Sequence, residues 1–420
     1  MVARRLLTRL LRHRPGRREG TAAACLCAAV VMLAGFGGGQ ALASQQAPAG
    51  QVASLSQAGS GTWQTENSDT RHGLYDVACL SALRCEAVGR AGTIVFTADG
   101  GRIWRQQANP LRGSSTTLYQ ITCVAPSSCY VIARPDIILV THNGGTTWTR
   151  HVLPVGTDVT DQACLPVYPA GGYATCRLGL LDISCVSASV CYAVAAAPLA
   201  YDVNPLPKTH AASASIWLTR DGGAKWTRQS IPAGVACNGD CQSGLYGYPL
   251  EWVTCVSSGA CRAGGLQFLS CGHCGFAYAV LATRGPGRAW SCVQSSAMCT
   301  GLAPDVATCP TSTRCYGVQS TEPFNEGDNT VFRSNDGGNG WTQVGPTWTR
   351  SVLNDITCPD TLTCYLAGTR GSIARITNGT TLAAQRTPTA RNLYGIACTG
   401  PYPNTTCYAV GDGGTLLALR

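Results

Sequence analysis

Pairs of cysteines at a fixed spacing divide most of this chain into units of similar length. Six pairs have five residues between the two cysteines, and a seventh pair has eight. The first cysteine of a pair ends a short apolar stretch such as YQITC, and the second opens another such as CYVIA. A disulfide would clamp a hairpin of two β-strands there. The predicted pairs are Cys79/Cys85, Cys123/Cys129, Cys185/Cys191, Cys255/Cys261, Cys309/Cys315, Cys358/Cys364 and Cys398/Cys407.

A tight turn follows several of these hairpins, after a third apolar strand. The first example is TADGGRIW at residues 97–104, behind the strand GTIVFT. Asp or Asn accepts hydrogen bonds from backbone N–H groups in such a turn, and glycine adopts positive φ. The tryptophan is predicted to anchor the turn in an apolar layer. The predicted turn residues are Asp99, Trp104, Asn143, Trp148, Asp221, Trp226, Asp336 and Trp341.

Seven units of this kind predict an all-β fold. Each unit supplies two clamped strands, a third strand, the turn and a fourth strand, which together indicate a seven-bladed β-propeller with four-stranded antiparallel blades. The last unit stops after its third strand. The stretch TWQTE at 62–66 is predicted to supply the missing strand, so that an N-terminal strand closes the ring and leaves no open edge.

The turn motif S/T-x-D-x-G-x-x-W resembles the Asp-box, or BNR repeat, of sialidase-like propellers. The whole repeat most resembles the photosystem II stability/assembly factor propellers, a pattern shared by exported repeat proteins of non-photosynthetic bacteria. The resemblance covers about residues 62–420. It implies a propeller fold, and it implies that the Asp-box aspartates are structural and lie away from the ligand-binding face.

The N-terminus has the form of an export signal. A basic stretch, Arg4 to Arg18, precedes an apolar stretch, Ala22 to Phe36, and Ala-Leu-Ala precedes Ser44. An uncleaved membrane anchor is the alternative. Export to the cell envelope or the medium would suit a disulfide-rich chain. The predicted divisions are 1–43, signal peptide or anchor; 44–61, flexible linker; and 62–420, propeller.

Charge and motifs exclude several classes of function. Residues 1–20 hold seven arginines and one glutamate, so they account for most of the net charge of +9. The remainder does not indicate a nucleic-acid partner. No nucleotide-binding, hydrolase or metal-site motif is found, so no cofactor and no metal are predicted. We expect a monomer that touches a membrane only through a possible anchor.

Eight further cysteines have no partner that the sequence defines. Cys271-Gly-His-Cys274 has the spacing of redox and metal sites. Its position between two predicted strands favours a structural disulfide over those alternatives, since redox motifs of this form open a helix. The pairing stays open for Cys164, Cys176, Cys237, Cys241, Cys271, Cys274, Cys292 and Cys299.

Blade geometry places the clamped hairpins and Asp-boxes on one face, the Asp-box face, and the remaining connections on the opposite face, the loop face. The long insertions 154–179, 198–213, 232–250 and 321–328 belong to the loop face. Ligand-binding groups concentrate on loops held by a rigid scaffold. An anionic ligand is predicted to meet arginines there, although scattered solvated arginine is the alternative. The candidates are Arg71, Arg90, Arg134, Arg370 and Arg391, with His72, Arg112 and Asp136 nearby.

The function predicted from these features is a non-catalytic binding or assembly scaffold for a protein or a glycan. The alternative is a sialidase-like glycoside hydrolase acting on envelope or host glycans. Such an enzyme commonly uses a pair of carboxylates. Within 62–420 the sequence supplies few glutamates and no convincing pair, so no catalytic residue is assigned.

Overall fold

The structure, a computed structural model, describes residues 61–155, 179–196, 214–231, 250–257, 259–270, 274–283, 289–292, 300–301, 304–320, 329–348 and 351–420. They belong to one compact unit, 53–420. No helix within these ranges is long and apolar enough to cross a membrane. The features that lie outside the described residues are the predicted signal peptide, residues 44–60 of the linker, nearly all of the four insertions, Cys164, Cys176, Cys237, Cys241, Cys271 and Cys299, and the side chains of Cys274 and Cys292.

Short strands account for most of the described chain. In order they are β1 (Trp63–Thr65), β2 (Leu74–Cys79), β3 (Cys85–Gly89), β4 (Ile94–Thr97), β5 (Arg105–Gln106), β6 (Leu118–Ala125), β7 (Ser128–Ala133), β8 (Ile137–Thr141), β9 (Thr149–Val152), β10 (Gly179–Cys185), β11 (Cys191–Ala196), β12 (Ala214–Thr219), β13 (Thr227–Gln229), β14 (Trp252–Ser257), β15 (Ala260–Ser270), β16 (Cys274–Thr283), β17 (Ser291–Cys292), β18 (Thr300–Gly301), β19 (Val306–Thr308), β20 (Cys315–Ser320), β21 (Asn329–Ser334), β22 (Thr342–Gln343), β23 (Leu353–Thr357), β24 (Cys364–Gly368), β25 (Ile373–Thr377), β26 (Thr381–Gln385), β27 (Leu393–Thr399), β28 (Thr406–Gly411) and β29 (Leu416–Leu419).

The strands form separate antiparallel sheets, which confirms the predicted all-β propeller architecture. Six sheets have four strands: β2–β5, β6–β9, β10–β13, β19–β22, β23–β26, and β27–β29 together with β1. The sheet of β14–β17 has a fifth strand, because the long β16 pairs with both β17 and β18. The described residues form six four-stranded sheets, so the prediction of seven four-stranded blades is wrong in number.

The first strand of each sheet lies against the first strands of its neighbours. This order runs β2, β6, β10, β14, β19, β23 and β27, and β27 lies against β2. β1 pairs antiparallel with β29, with Trp63 opposite Leu419. The N-terminal strand thus completes the last sheet, as the sequence predicts.

The seven predicted hairpin disulfides are present. Cys79 lies directly opposite Cys85 in the strand register, and the same is true of Cys123 and Cys129. Their Cα–Cα distances are 4.1 Å. The other disulfides join Cys185 to Cys191, Cys255 to Cys261, Cys309 to Cys315, Cys358 to Cys364 and Cys398 to Cys407.

The apolar core lies between sheets rather than inside any one of them. Each core cluster among the described residues combines side chains from two adjacent sheets. Between the first and last sheets, for example, Leu74 and Trp104 pack with Tyr408 and Leu416. Burial of apolar surface is the main favourable term in such packing. The boundary between two adjacent sheets is here called a seam, and each of these six clusters is the core of one seam.

Hydrogen bonds from one repeated position cross the seams near the Asp-box face. At three seams the residue after the second cysteine of a hairpin donates to a main-chain carbonyl of the next sheet. Tyr130 Oη donates to Ala188 O at 2.6 Å, and Tyr316 Oη donates to Thr361 O at 2.8 Å. The Arg262 guanidinium donates to Ser312 O at 3.4 Å. These acceptors all lie three residues after the first cysteine of their own hairpin.

Basic side chains make a second bond across several seams. In four cases the acceptor is the carbonyl of the first glycine in the next sheet's tight turn. In the fifth case it is the carbonyl of Gly379, in the turn between β25 and β26. The pairs are Arg84 with Gly144, His142 with Gly222, Arg262 with Gly337, Arg333 with Gly379 and Arg420 with Gly100, at 2.6 to 3.3 Å. The tight turn of one sheet is thereby tied to the sheet before it.

Glu86 places a carboxyl group at the position that Tyr130 occupies in its own hairpin. Its side chain is 1% exposed. Its nearest cation is Arg84, whose Nη2 lies 3.9 Å from Oε1. Burial raises the pKa of Glu86 to about 7, and Arg84 and Gln107 oppose the shift. A buried carboxyl group in a weak ion pair favours its neutral form.

The raised pKa of Glu86 makes the seam between the first two sheets sensitive to pH. A carboxyl whose pKa is raised on folding contributes stability that is complete below about pH 4 and is lost as the pH rises through about 7. We expect the free energy of unfolding to fall by about 2 kcal/mol more between pH 5 and pH 8 in the wild type than in Glu86→Gln. Urea titrations at several pH values measure this difference.

The exposed Asp69 provides a matched control. Asp69→Asn removes a carboxylate from the surface and should retain the wild-type dependence on pH. Parallel curves for the wild type and Glu86→Gln would contradict the assignment to Glu86.

Candidate functional site

Five of the innermost strands carry a β-bulge near the loop face. In β2 the pairing register shifts between Leu74 and Asp76, and β6, β10, β23 and β27 show the same shift. A bulge leaves one residue unpaired and changes the direction of its side chain. The residues within the bulges are Tyr75, Tyr119, Leu181, Asn354 and Tyr394.

Three of the bulged residues form an aromatic group with two arginines. The Tyr75 ring stacks on Tyr394 at 5.1 Å between centroids and lies 5.4 Å from Tyr119. Arg90 Nε donates to Tyr75 Oη at 2.9 Å. The Arg134 guanidinium lies 4.4 Å from the Tyr119 centroid, a cation–π distance. These five residues are called the tyrosine–arginine cluster.

Hydrogen bonds from the loop face hold the cluster in place. Tyr394 Oη donates to Asp412 Oδ1 at 3.1 Å, and Arg134 Nε donates to Leu180 O at 3.2 Å. Burial raises the pKa of Tyr394, and the hydrogen bond to Tyr75 raises the pKa of Arg90. Tyr394 therefore stays neutral and Arg90 stays cationic at neutral pH. The cluster offers aromatic faces beside fixed positive charge.

Carboxylates lie next to the bulges and connect the innermost strands. Asp76 Oδ1 accepts from Val77 N at 2.7 Å, and Oδ2 accepts from Ile121 N of the next sheet at 2.8 Å. Asp182 and Asp355 make the same two kinds of bond. Burial raises the pKa of Asp182 to about 7 and that of Asp355 to about 6. These carboxyl groups bridge adjacent sheets.

The predicted arginines do not all meet at one place. Arg90 and Arg134 belong to the cluster, and Arg391 bonds the Asp412 and Gly413 carbonyls at 3.3 and 3.4 Å. Arg370 is exposed in a turn with φ of 58°. Arg71 and His72 line a separate polar cleft of about 370 Å³, together with Asn67, Asp69, Thr70 and Gln106.

Sequence reasoning overlooked the tyrosines. A signal was present, because Tyr75, Tyr119 and Tyr394 each stand four residues before the first cysteine of a hairpin, in LYDVAC, LYQITC and LYGIAC. That shared offset places them at the same point of three innermost strands. Their mutual contact also requires that the three sheets adjoin, which the ring order provides.

The Asp-box residues form closed networks within their own turns. Asp99 Oδ1 accepts from Thr97 Oγ1 at 2.9 Å and from Ile103 N at 3.0 Å. Asp221 accepts from Thr219 Oγ1 and Lys225 N at 2.9 Å each. The backbone N–H of Lys225 lowers the pKa of Asp221. Trp104, Trp148 and Trp226 pack in the seams.

One group of potential metal ligands occurs among the described residues. Glu86, Cys123 and Cys129 place their ligand atoms within 4.8 Å of one another. The two cysteines form a disulfide, so neither supplies the thiolate that a metal site requires. The group therefore does not have a suitable donor set.

Comparison with known proteins agrees with this architecture. The family model described as photosynthesis system II assembly factor YCF48 matches residues 55–157. No curated protein matches the chain in sequence. The chain therefore resembles BNR-repeat propellers of the photosystem II assembly factor type, as the repeat pattern predicts.

Solved structures extend the likeness to most of the described fold. YCF48 bound to a D1 peptide aligns at a TM-score of 0.54 and 15% identity, over 87% of this chain and 99% of that one. YCF48 from Cyanidioschyzon merolae aligns equally well, over 86% and 99%. A GH74 xyloglucanase from Xanthomonas campestris aligns at 0.52 and 13% identity, over 85% of this chain and 53% of the enzyme. Likeness at these identities shows the fold alone.

The Asp-box networks predict that the oxygen at Oδ1 matters more than the negative charge. Asn143 makes the same two bonds as Asp221, to Thr141 and to Thr147 N. We therefore expect Asp221→Asn to unfold at nearly the wild-type urea concentration and Asp221→Ala to unfold at a lower one. Equal midpoints for the alanine and asparagine variants would contradict this role.

Proposed function

We propose that this chain is a non-catalytic propeller scaffold that binds a segment of another protein at the tyrosine–arginine cluster. The observation that carries the proposal is the cluster itself, in which Tyr75 contacts tyrosines from two neighbouring sheets beside Arg90 and Arg134. Tyrosine and arginine are enriched at binding hot spots, where large side chains anchor a partner. The hydrogen bonds described above fix these side chains before a partner arrives, which reduces the entropic cost of binding.

The charge of the cluster favours an acidic segment. Arg90 is exposed, and Arg391 is exposed near Asp412 at the same end of the sheets. A guanidinium pairs with a carboxylate through two parallel hydrogen bonds, and this geometry adds specificity. The similar structure of YCF48 holds a D1 peptide, which supports a peptide rather than a glycan as the ligand here.

The buried carboxyl groups support a non-catalytic role. Asp76, Asp182 and Asp355 each use both oxygens to accept backbone N–H groups, and these bonds join adjacent sheets. A carboxyl engaged in this way is poorly placed to transfer a proton or to attack a sugar. The sialidase-like alternative stays a prediction, and it requires two other carboxyl groups on either side of a glycosidic bond.

The setting of this function is also proposed. Residues 1–43 would direct export or anchor the chain, residues 44–61 would act as a linker, and residues 62–420 would form a monomeric propeller. Seven disulfides at equivalent hairpins suit an oxidising compartment.

A binding experiment tests the proposal. Fluorescein-labelled peptides of twelve residues, one set rich in Asp and Glu and one rich in Lys, are titrated with the chain and followed by fluorescence polarisation. We expect the acidic set to bind, and Arg90→Gln combined with Arg134→Gln to weaken binding at least tenfold. Arg105→Gln combined with Arg150→Gln removes the same charge from exposed outer strands and should bind like the wild type.

Three outcomes would contradict the proposal. They are failure of the acidic peptides to bind, equal losses in the two double variants, and hydrolysis of sialyllactose or xyloglucan by the wild type. Hydrolysis would favour the glycosidase alternative. Equal losses would show that only net charge matters.

A further inference from the structure

Tyr408 differs from Tyr130 and Tyr316, two other tyrosines that cross a seam. It follows the second cysteine of its hairpin, as Tyr130 and Tyr316 do, and its side chain is 1% exposed. Its hydroxyl has no hydrogen-bond partner among the described residues, whereas Tyr130 and Tyr316 each donate to a carbonyl of the next sheet. A buried donor without an acceptor is unfavourable. The Tyr192 hydroxyl also has no partner among the described residues, but its equivalent acceptor position, residue 258, lies outside them.

The Tyr408 side chain lines a cleft of about 630 Å³ on the Asp-box face, between the last sheet and the first. The cleft follows from how the last sheet is built. Its outer strands, β29 and β1, come from distant parts of the chain, so no turn joins them and covers this corner. Arg420 fixes one wall by donating to Gly100 O at 2.6 Å and pairing with Glu66 at 2.8 Å.

The rest of the lining combines apolar and polar surface. Leu83 is 60% exposed, and Leu419 lines the same cleft. Arg102 stands at the rim, where it lowers the pKa of Asp99 after the larger effect of that turn's own hydrogen bonds. Pockets of 300–1,000 Å³ with apolar walls and a few polar groups are typical of ligand sites.

We propose that this cleft is a second protein-binding site, which receives a loop that presents a main-chain carbonyl beside an apolar side chain. The carbonyl accepts a hydrogen bond from Tyr408 Oη, and the apolar side chain packs on Leu83. The fold itself supplies the precedent, because the equivalent hydroxyl of Tyr130 binds the carbonyl of a hairpin at 2.6 Å. The partner completes at this seam a bond that the chain makes internally at others.

The site is distinct from the tyrosine–arginine cluster. In the first sheet, Cys85 pairs with Thr97 at one end of β3, while Val88 pairs with Ile94 near the other end. Asp99 follows the first end, and Arg90 follows the second. The two sites therefore lie on opposite faces, and one molecule can hold two partners at once.

The probe for this site is N-acetyl-leucine N′-methylamide, titrated against the full chain and followed by ligand-observed NMR. N-acetyl-glycine N′-methylamide is the matched probe without the apolar side chain and should bind more weakly. We expect Tyr408→Phe to weaken binding of the leucine probe about fivefold, the effect of one hydrogen bond. Leu83→Ser should weaken it as well.

Two control variants occupy the equivalent positions at other seams. Tyr130→Phe and Leu362→Ser change the same residue types, and Leu362, like Leu83, is exposed and lies four residues after the first cysteine of its hairpin. Both should bind the probe like the wild type. The proposal is overturned if the wild type does not bind, if Tyr408→Phe binds equally well, or if only Leu83→Ser weakens binding.

Unfolding in urea gives a readout that needs no ligand. Tyr130→Phe removes a hydrogen bond and should lower the midpoint. Tyr408→Phe removes a hydroxyl without an acceptor, so the midpoint should stay the same or rise. A fall as large as that of Tyr130→Phe would mean that Tyr408 already bonds a carbonyl of this chain, and it would overturn the proposal.

Discussion

Side chains that reach from one sheet to the next hold this propeller together, because each sheet is a separate hydrogen-bonded ladder. They act at three depths of a seam. Next to the bulges, Asp76 accepts the N–H of Ile121 in the following sheet. Apolar side chains from both sheets fill the middle. Near the Asp-box face, Tyr130 donates to a main-chain carbonyl of the hairpin beyond it. Buried backbone polar groups need such partners, so these bonds fix the angle between sheets as well as their distance.

Because the same hairpin recurs in every sheet, a residue that differs at an equivalent position shows where one seam departs from the others. One position, the residue after the second cysteine, is tyrosine at most seams, arginine at Arg262 and a carboxylic acid at Glu86. Tyrosine and arginine both donate a hydrogen bond, so they satisfy the same carbonyl. Glu86 has a titratable carboxyl group there instead, which makes the stability of its seam depend on pH. Tyr408 keeps the donor, and its buried hydroxyl has no hydrogen-bond partner among the described residues.

Local sequence was sufficient to predict the hairpins, the disulfides, the tight turns and the closing strand, since each depends on residues close together in the chain or on one missing strand. The tyrosine–arginine cluster was not predicted as a unit. Tyr75, Tyr119 and Tyr394 come from three sheets and meet only because bulges redirect them and the ring brings the sheets together. Of the five residues in the cluster, only the two arginines, Arg90 and Arg134, were predicted from the sequence, on the basis of their charge. The fifth strand of one sheet, β18, has two residues and carries no strand pattern of its own.

The pairing of β1 with β29 also determines where the N-terminal part of the chain enters the propeller. Thr62 N donates to Arg420 O, and Arg420 N donates to Thr62 O, at the end of β29 that meets the Asp-box face. The chain thus enters the propeller beside Arg420. Any tether attached ahead of Gly61 therefore pulls on the Asp-box face, close to the cleft at Tyr408. The tyrosine–arginine cluster lies on the face opposite to this point of entry.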